Sequence, residues 1–391
     1  MYSISALEPA MRLHRPADAA APRPHSRGMA ARALIYVLAG LLLVTRPARA
    51  QWILEGIADG EAWVTDARST LLTRNDGHPA ALGRLHLWTA AEPLPGLYLF
   101  ALGEVETGQA TPEGGTEVFL DQLGVRYQRS HALVLEVGKL PSPVGIFAGR
   151  RFSTHNPLIG TPDGYPTTYP WGVQLSGALG RVDYRGALVS LPVSNEKYLP
   201  HPGPAARLAL GAGIAPLVGL RLGGSFTRGP YLNGDLAPLL PAGRGWRDYA
   251  QQIIAFDGRF SRGYLELIGE LSFSKYDVPN HSDPVPGTAY YVEAMYTWTP
   301  RLFTALRFEQ NDYAFVRPID PSLWIGRKVN VYDGEVGVGV RLDAGTTVKV
   351  SYRRDFWDVD PDLRSFLRDG HAVALQISRH FDVRSWLTPR R

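Results

Sequence analysis

The chain contains no cysteine. Neither a disulfide framework nor a thiolate metal site is open to it, so its stability rests on packing, hydrogen bonds and charge. Long apolar runs are as scarce. One stands out, Ala33–Thr45 (ALIYVLAGLLLVT), and it falls short of the roughly twenty apolar residues that a membrane-spanning helix needs. No apolar stretch after residue 50 reaches spanning length, which excludes a helical membrane protein. Catalytic signatures are also missing. There is no Gly-x-Ser-x-Gly elbow, no His-Glu-x-x-His and no EF-hand loop, and neither His155 nor His371 sits in a pattern that marks a base. Gly211–Gly224 lacks a nucleotide-binding fingerprint, and the acidic stretch Asp355–Asp362 (DFWDVDPD) lacks the spacing of a defined cation site and reads as a solvated outer loop. No enzymatic activity, cofactor or resident metal is expected.

What is there divides at residue 50. The apolar run is preceded by Arg32 and followed by Ala48-Arg49-Ala50, a small-x-small pattern that predicts a secretory signal peptide cleaved after Ala50. Residues 1 to 28 stand long in front of such a signal, and Met29 would give one of ordinary length. Residues 1 to 50 hold 7 of the 41 Lys and Arg but 2 of the 37 Asp and Glu, leaving 34 basic and 35 acidic residues. The basic balance thus belongs to the leader, and a nucleic-acid partner is not implied.

Residues 51–391 read as one all-β domain. Two-residue alternation recurs in segments of the length a tilted strand needs to cross a bilayer. Leu265, Leu267, Leu271 and Phe273 oppose Glu266, Glu270 and Ser272; Val336, Val338, Val340 and Leu342 oppose Glu335 and Arg341. The pattern predicts sixteen strands: 52–58, 83–90, 96–106, 117–127, 131–139, 169–179, 181–189, 206–214, 219–227, 247–258, 262–273, 288–298, 301–312, 331–342, 345–354 and 370–381. An extra hairpin in Glu61–Leu72 would raise the number to eighteen. Connections alternate between short and long, which predicts a transmembrane antiparallel β-barrel with short periplasmic turns and long outer loops. A repeat of propeller length is absent.

In this layout the sequence resembles the bacterial porin superfamily, and the longest connection, Leu140–Thr168, falls between the fifth and sixth strands. The resemblance implies that this third outer loop folds into the lumen as the constriction. Gly138-Lys139-Leu140-Pro141-Ser142-Pro143-Val144-Gly145, Arg150-Arg151-Phe152 and Asn156-Pro157 are similar to the equivalent stretch of phosphate-selective porins. The basic run of those channels is reduced here to Arg150 and Arg151, so phosphate specificity does not carry over. The last strand, with Val373, Leu375, Ile377 and Phe381 on one face, is similar to the signal read by barrel-assembly machinery, although Arg379 interrupts the face and ten residues follow Phe381.

The candidate constriction residues are Arg150, Arg151, Lys139, His155 and Asp163. Alternation sends Arg84, Arg126, Arg185, Arg221, Arg307, Arg341, Lys349 and Arg353 inward, with Glu104, Glu136, Glu266, Glu270, Glu293, Glu309 and Glu335. In a watery lumen these charges stay hydrated, whereas a midplane Arg or Lys on the lipid face costs about 2 to 4 kcal/mol. Each also has a structural reading, as half of an Arg–Glu pair bracing the wall. Trp52, Trp88, Tyr127, Trp171, Tyr184, Tyr264, Tyr290, Trp298 and Tyr352 are candidates for interfacial girdles. Tyr165-Pro166 and Tyr169-Pro170-Trp171 read as stiffened loop or as sugar-stacking platforms.

The function these features imply is passive diffusion of small hydrophilic solutes or ions across the bacterial outer membrane. Its partners would be outer-membrane lipids, lipopolysaccharide and the assembly machinery, with a homotrimer compatible with the layout. A barrel devoted to adhesion, envelope structure or lipid hydrolysis is the alternative, followed by a secreted all-β binding protein.

Overall fold

The structure is a computed structural model that describes residues 51–111, 115–163, 169–190, 207–232, 234–365 and 367–383. The predicted signal peptide and its cleavage site, Tyr165-Pro166, the end of the predicted constriction loop and Trp386 lie outside the described residues. Sixteen strands close into one antiparallel barrel. They are β1 (Gln51–Thr65), β2 (Ala80–Leu94), β3 (Leu97–Gly108), β4 (Gly115–Ser130), β5 (Leu133–Lys139), β6 (Trp171–Leu179), β7 (Val182–Val189) and β8 (Arg207–Leu217). The circuit continues through β9 (Leu220–Pro230), β10 (Ala250–Arg262), β11 (Leu265–Tyr276), β12 (Val285–Thr297), β13 (Leu302–Asp320), β14 (Leu323–Arg341), β15 (Thr346–Asp358) and β16 (Gly370–Asp382). β16 pairs with β1, Ile57 opposite His380, so no strand edge is left open.

All sixteen predicted strands are present, and the eighteen-strand variant is not. β1 runs unbroken to Thr65, and 66–79 is a loop with a single short 3-10 turn, Asn75–Gly77. A second difference lies at β13 and β14. The predicted long loop 313–330 is mostly a hairpin that continues the two strands to a tight turn at Pro321–Ser322. Continuous backbone pairing over these residues satisfies donors and acceptors that a loop would have to pair elsewhere.

The short turns all fall at one end of the barrel. At Gly180, for example, φ is +61°, a left-handed conformation that a side chain would strain. The outer face is apolar. Leu306, Val336, Val338, Val350, Leu375 and Ile377 are exposed there, while their neighbours in sequence turn inward. A closed barrel with an apolar outside satisfies every ladder group internally and meets lipid without penalty. Tyr127, Tyr264, Tyr296 and Trp298 form an aromatic rim at the short-turn end. Trp88 departs from the predicted girdle. It turns inward, where its Nε1 donates to Glu55 at 3.1 Å and its ring lies 5.9 Å from that of Phe152.

At the long-loop end the core sits inside the barrel. Val329, Val331 and Trp357 are covered by Leu367 and Leu363 from the β15–β16 loop, and Leu71 of the β1–β2 loop packs onto this cluster and onto one containing Trp63, Leu72 and Ile159. The β9–β10 loop contributes Leu232, Leu240 and Tyr249 to a third cluster with Val278 and Trp324. Val336 is 53% exposed on the apolar belt, so Val336→Arg should destabilise the barrel by about 2 to 4 kcal/mol. Urea titration of the protein folded in vesicles measures this; an unchanged midpoint would mean that β14 does not face lipid.

Candidate functional site

The chain leaves β5 at Lys139, and over residues 140–163 it threads the interior of the barrel. Its first contacts are across the lumen. The Gly145 N–H donates to Ser225 Oγ on β9 at 3.3 Å, and Arg185 on β7 donates to the Gly145 carbonyl at 3.4 Å. Next, Glu270 on β11 accepts the N–H groups of Ile146 and Phe147 at 3.1 and 2.8 Å and the Tyr291 hydroxyl at 2.8 Å. Phe147 is fully buried, its ring edge-on to Tyr291 at 5.9 Å, and opens a short 3-10 turn that ends at Arg150.

The two adjacent arginines then point to opposite walls. Arg150 pairs with Glu266 on β11 at 2.8 Å and Glu293 on β12 at 2.6 Å. Arg151 pairs with Glu104 on β3 at 2.7 Å and with Asp121 on β4, and its guanidinium lies 4.9 Å from the centre of the Tyr169 ring. Burial pushes the Tyr169 phenol up to about 12, which keeps that ring neutral beside the cation. Beyond Arg151 the loop crosses to β1, where the Ser153 hydroxyl donates to Asp59 at 2.5 Å.

The remainder lies against β13, β14 and β15. Lys349 Nζ donates to three loop carbonyls, those of Ser153, Asn156 and Leu158, at 2.8, 2.9 and 3.0 Å. Glu335 accepts the N–H groups of Ile159 and Gly160, and Arg307 donates to the Gly160 carbonyl at 3.0 Å and to Glu293 at 2.6 Å. Glu309 accepts the Asp163 N–H at 2.6 Å, and Arg353 joins Asp163, Glu309 and Asp333 at 2.6, 3.2 and 2.7 Å. Gly160 has no room for a side chain: a Cβ there would come within 2.5 Å of Glu335 Oε2.

These contacts correct the picture of wall charges standing in water. Glu293, Arg307, Glu309, Glu335 and Lys349 are all at most 3% exposed, because the loop covers them. An irregular backbone buried in a barrel needs partners for its own N–H and carbonyl groups, and inward charges supply them. Isolated, each charge would carry a large desolvation cost; alternating signs and backbone dipoles offset it.

The other predicted residues face inward without touching the loop's far half. Arg84 bridges Glu61, Glu104 and Glu106; Arg126 pairs with Glu136 at 2.8 Å; Arg221 pairs with Asp183 and Asp257. Arg341 lies near the short-turn end over the Phe303 ring. Lys139 is buried at the end of β5, while His155 is exposed on the loop.

Sequence reading missed Asp59, Asp121, Ser225, Tyr291 and Asp333. Asp59 was lost because the first strand was ended at residue 58; its alternation with Glu55 and Glu61 carries the signal. Asp333 lies two residues before Glu335 on the same face. Asp121 has no signal of this kind. It sits at a register shift between β3 and β4, opposite Leu102 and Gly103, and such an irregularity turns a side chain out of simple alternation.

Comparison places this geometry among known folds. No protein-family model matches the chain, and no curated protein does. Solved structures do. OmpF of Salmonella typhi, in complex with daunomycin, aligns with a TM-score of 0.59 at 13% identity over 84% of this chain and 97% of that one. The anion-selective porin of Comamonas acidovorans aligns with a TM-score of 0.56 at 11% identity, over 85% and 100%. In-vitro folded OmpT, an outer membrane protein of Vibrio cholerae, aligns with a TM-score of 0.56 at 9% identity, over 86% and 99%. The chain has a porin-like outer-membrane barrel fold. Nothing in the comparisons singles out the phosphate-selective family.

In this porin-like barrel two substitutions test how the loop is seated. Lys349→Met removes a charged donor from three carbonyls and should cost about 3 kcal/mol, since hydrogen bonds to charged groups contribute about 1.5 to 3 kcal/mol each and do not add fully. Gly160→Ala forces Glu335 and the loop apart. Both should speed proteolysis of the loop in the folded barrel; cleavage at the parental rate would show that the loop is not held by these contacts.

Proposed function

We propose that the protein is an outer-membrane channel of the porin type, through which small hydrophilic solutes or ions diffuse passively, rather than an enzyme. The observation that carries this reading is the division of the inner wall. On β12 to β15 Glu293, Arg307, Glu309, Glu335 and Lys349 are sealed under the loop, whereas on β4, β9 and β10 a set of arginines keeps contact with solvent: Arg126 is 47% exposed, Arg221 25% and Arg259 56%. A solute passing the loop would travel along that second sector. The long-loop end would face outward, with lipopolysaccharide around the belt, and the short turns would face the periplasm after export, cleavage behind Ala50 and insertion by barrel-assembly machinery. Assembly as a homotrimer fits this reading, and chemical cross-linking of whole cells reports on it.

The role expected of Arg150 and Arg151 changes. Each stands between two carboxylates, so together they cancel wall charge and lend the passage little net positive field. Removing them uncovers Glu266, Glu293, Glu104 and Asp121. The pairing also favours a second reading, a barrel whose loop is a structural plug.

Single-channel recording separates the two readings. The parent should conduct, and Arg150→Ala with Arg151→Ala should raise the cation-to-anion permeability ratio by roughly a factor of three or more, because unpaired carboxylates in a narrow passage act strongly on passing ions. No conductance in the parent would favour the plug. Orientation is checked by labelling single cysteines in intact cells: Ser322→Cys and Asp360→Cys should react from outside, Pro300→Cys and Ala344→Cys should not.

A further inference from the structure

Under the constriction loop, the inner faces of β2, β3 and β4 bring together His86, Glu104 and Asp121. Their ligand-type atoms lie within 4.8 Å of one another, and all three residues are at most 8% exposed. His86 is the informative member. Its Nδ1 is buried, makes no hydrogen bond, and lies 3.7 Å from Glu104 Oε2. A ring nitrogen sealed from water and aimed at a carboxylate without a bond to it is a costly arrangement. Phe152 fixes the imidazole from the other side, edge-on at 5.2 Å. The cation serving the two carboxylates is the Arg151 guanidinium, which reaches both. Arg84, 3.2 Å from Glu104, is drawn away by Glu61 and Glu106.

We propose that His86, Glu104 and Asp121 form a binding site for a divalent transition-metal ion of the zinc class, and that Arg151 is a built-in competitor which the ion displaces. One imidazole and two carboxylates are ligand types zinc takes, at about 2.0 to 2.2 Å in a tetrahedral shell. Ligand atoms around such an ion stand about 3.4 Å apart, so the cluster has to close by little more than an ångström. The imidazole sets the preference, since calcium and magnesium favour oxygen alone. The charges balance as well. A dication matches Glu104 and Asp121 and takes up the Nδ1 lone pair, which the guanidinium, donating to the two carboxylates, leaves without a partner. The second buried acidic group, Asp163, Glu309 and Asp333, has no nitrogen ligand and is tied by Arg353.

Displacement would leave Arg151 unpaired beside the passage, so the ion would also change permeation. That consequence rests on the channel reading; the binding does not. The test uses the folded full-length barrel in detergent, with Zn2+ in calorimetry and Co2+ as a visible-absorption probe. Arg151→Gln removes the competitor and should bind Zn2+ at least about tenfold more tightly than the parent, with a Co2+ ligand-field band. Adding His86→Gln to Arg151→Gln should weaken binding by about a hundredfold and abolish the band. Heat-modifiable migration confirms folding, and if His86→Gln does not fold, Asp121→Asn in the same background takes its place. His371→Gln, an exposed histidine elsewhere, should change nothing. Equal Zn2+ affinity of the parent and Arg151→Gln, binding that survives loss of His86 or Asp121, or binding lost with His371 would each overturn the site. In recordings, Zn2+ should move both the parent and Arg151→Gln towards anion preference, the variant at a lower Zn2+ concentration, and leave Arg151→Gln with His86→Gln unmoved; this arm alone fails if the barrel does not conduct.

Discussion

Hydrogen bonding between an irregular loop and the charged inner wall is the constraint on which the rest of this barrel depends. The strands satisfy their own backbone through the closed ladder, but residues 140–163 have no ladder of their own. Glu270, Glu335 and Glu309 take their N–H groups, and Lys349, Arg307 and Arg185 take their carbonyls. Ordered this way, the wall charges are anchors before they are anything else. The charges that pair with one another, such as Arg307 with Glu293 and Arg353 with Asp333, keep the anchors themselves from being stranded in a dry interior.

That arrangement makes the interior lopsided. Against β12 to β15 and β1 the loop seals the wall charges, and it also packs Val144 and Phe147 onto β8, β10 and β11, while Arg126, Arg221 and Arg259 on β4, β9 and β10 keep contact with solvent. The same alternation of inward charge thus does two jobs on two sides of one wall. Arg150 and Arg151 join the sides. Being adjacent in sequence and aimed at opposite walls, they span the lumen with a single backbone step, and each is held by carboxylates from two neighbouring strands.

Much of this was legible from the residues. The period-two pattern around Val336–Leu342 and Leu265–Phe273 gave the outward and inward faces as the structure has them, and the segment after Lys139 was recognised as the exceptional connection. Strand ends were harder. Above the apolar belt nothing in the pattern distinguishes a hairpin that keeps pairing, as β13 and β14 do to Asp320 and Leu323, from a loop of the same length. The roles of the charges were harder still. Alternation shows that Lys349 points inward; that it meets three carbonyls rather than water follows from the path of a loop nearly two hundred positions away in sequence. Asp121, turned inward at a register shift, lies beyond what alternation shows.

The absence of cysteine makes the seated loop open to a clean test. Ser153 Oγ and Asp59 Oδ1 are 2.5 Å apart across the loop and β1, so Ser153→Cys with Asp59→Cys places the only two thiols of the chain against each other. If the loop rests where it is described, the disulfide forms spontaneously in the folded barrel, and single-channel conductance is the same before and after reduction. A pair that stays reduced under mild oxidant, or a conductance that rises sharply when the bond is broken, would show that the loop does not hold this position by its own contacts.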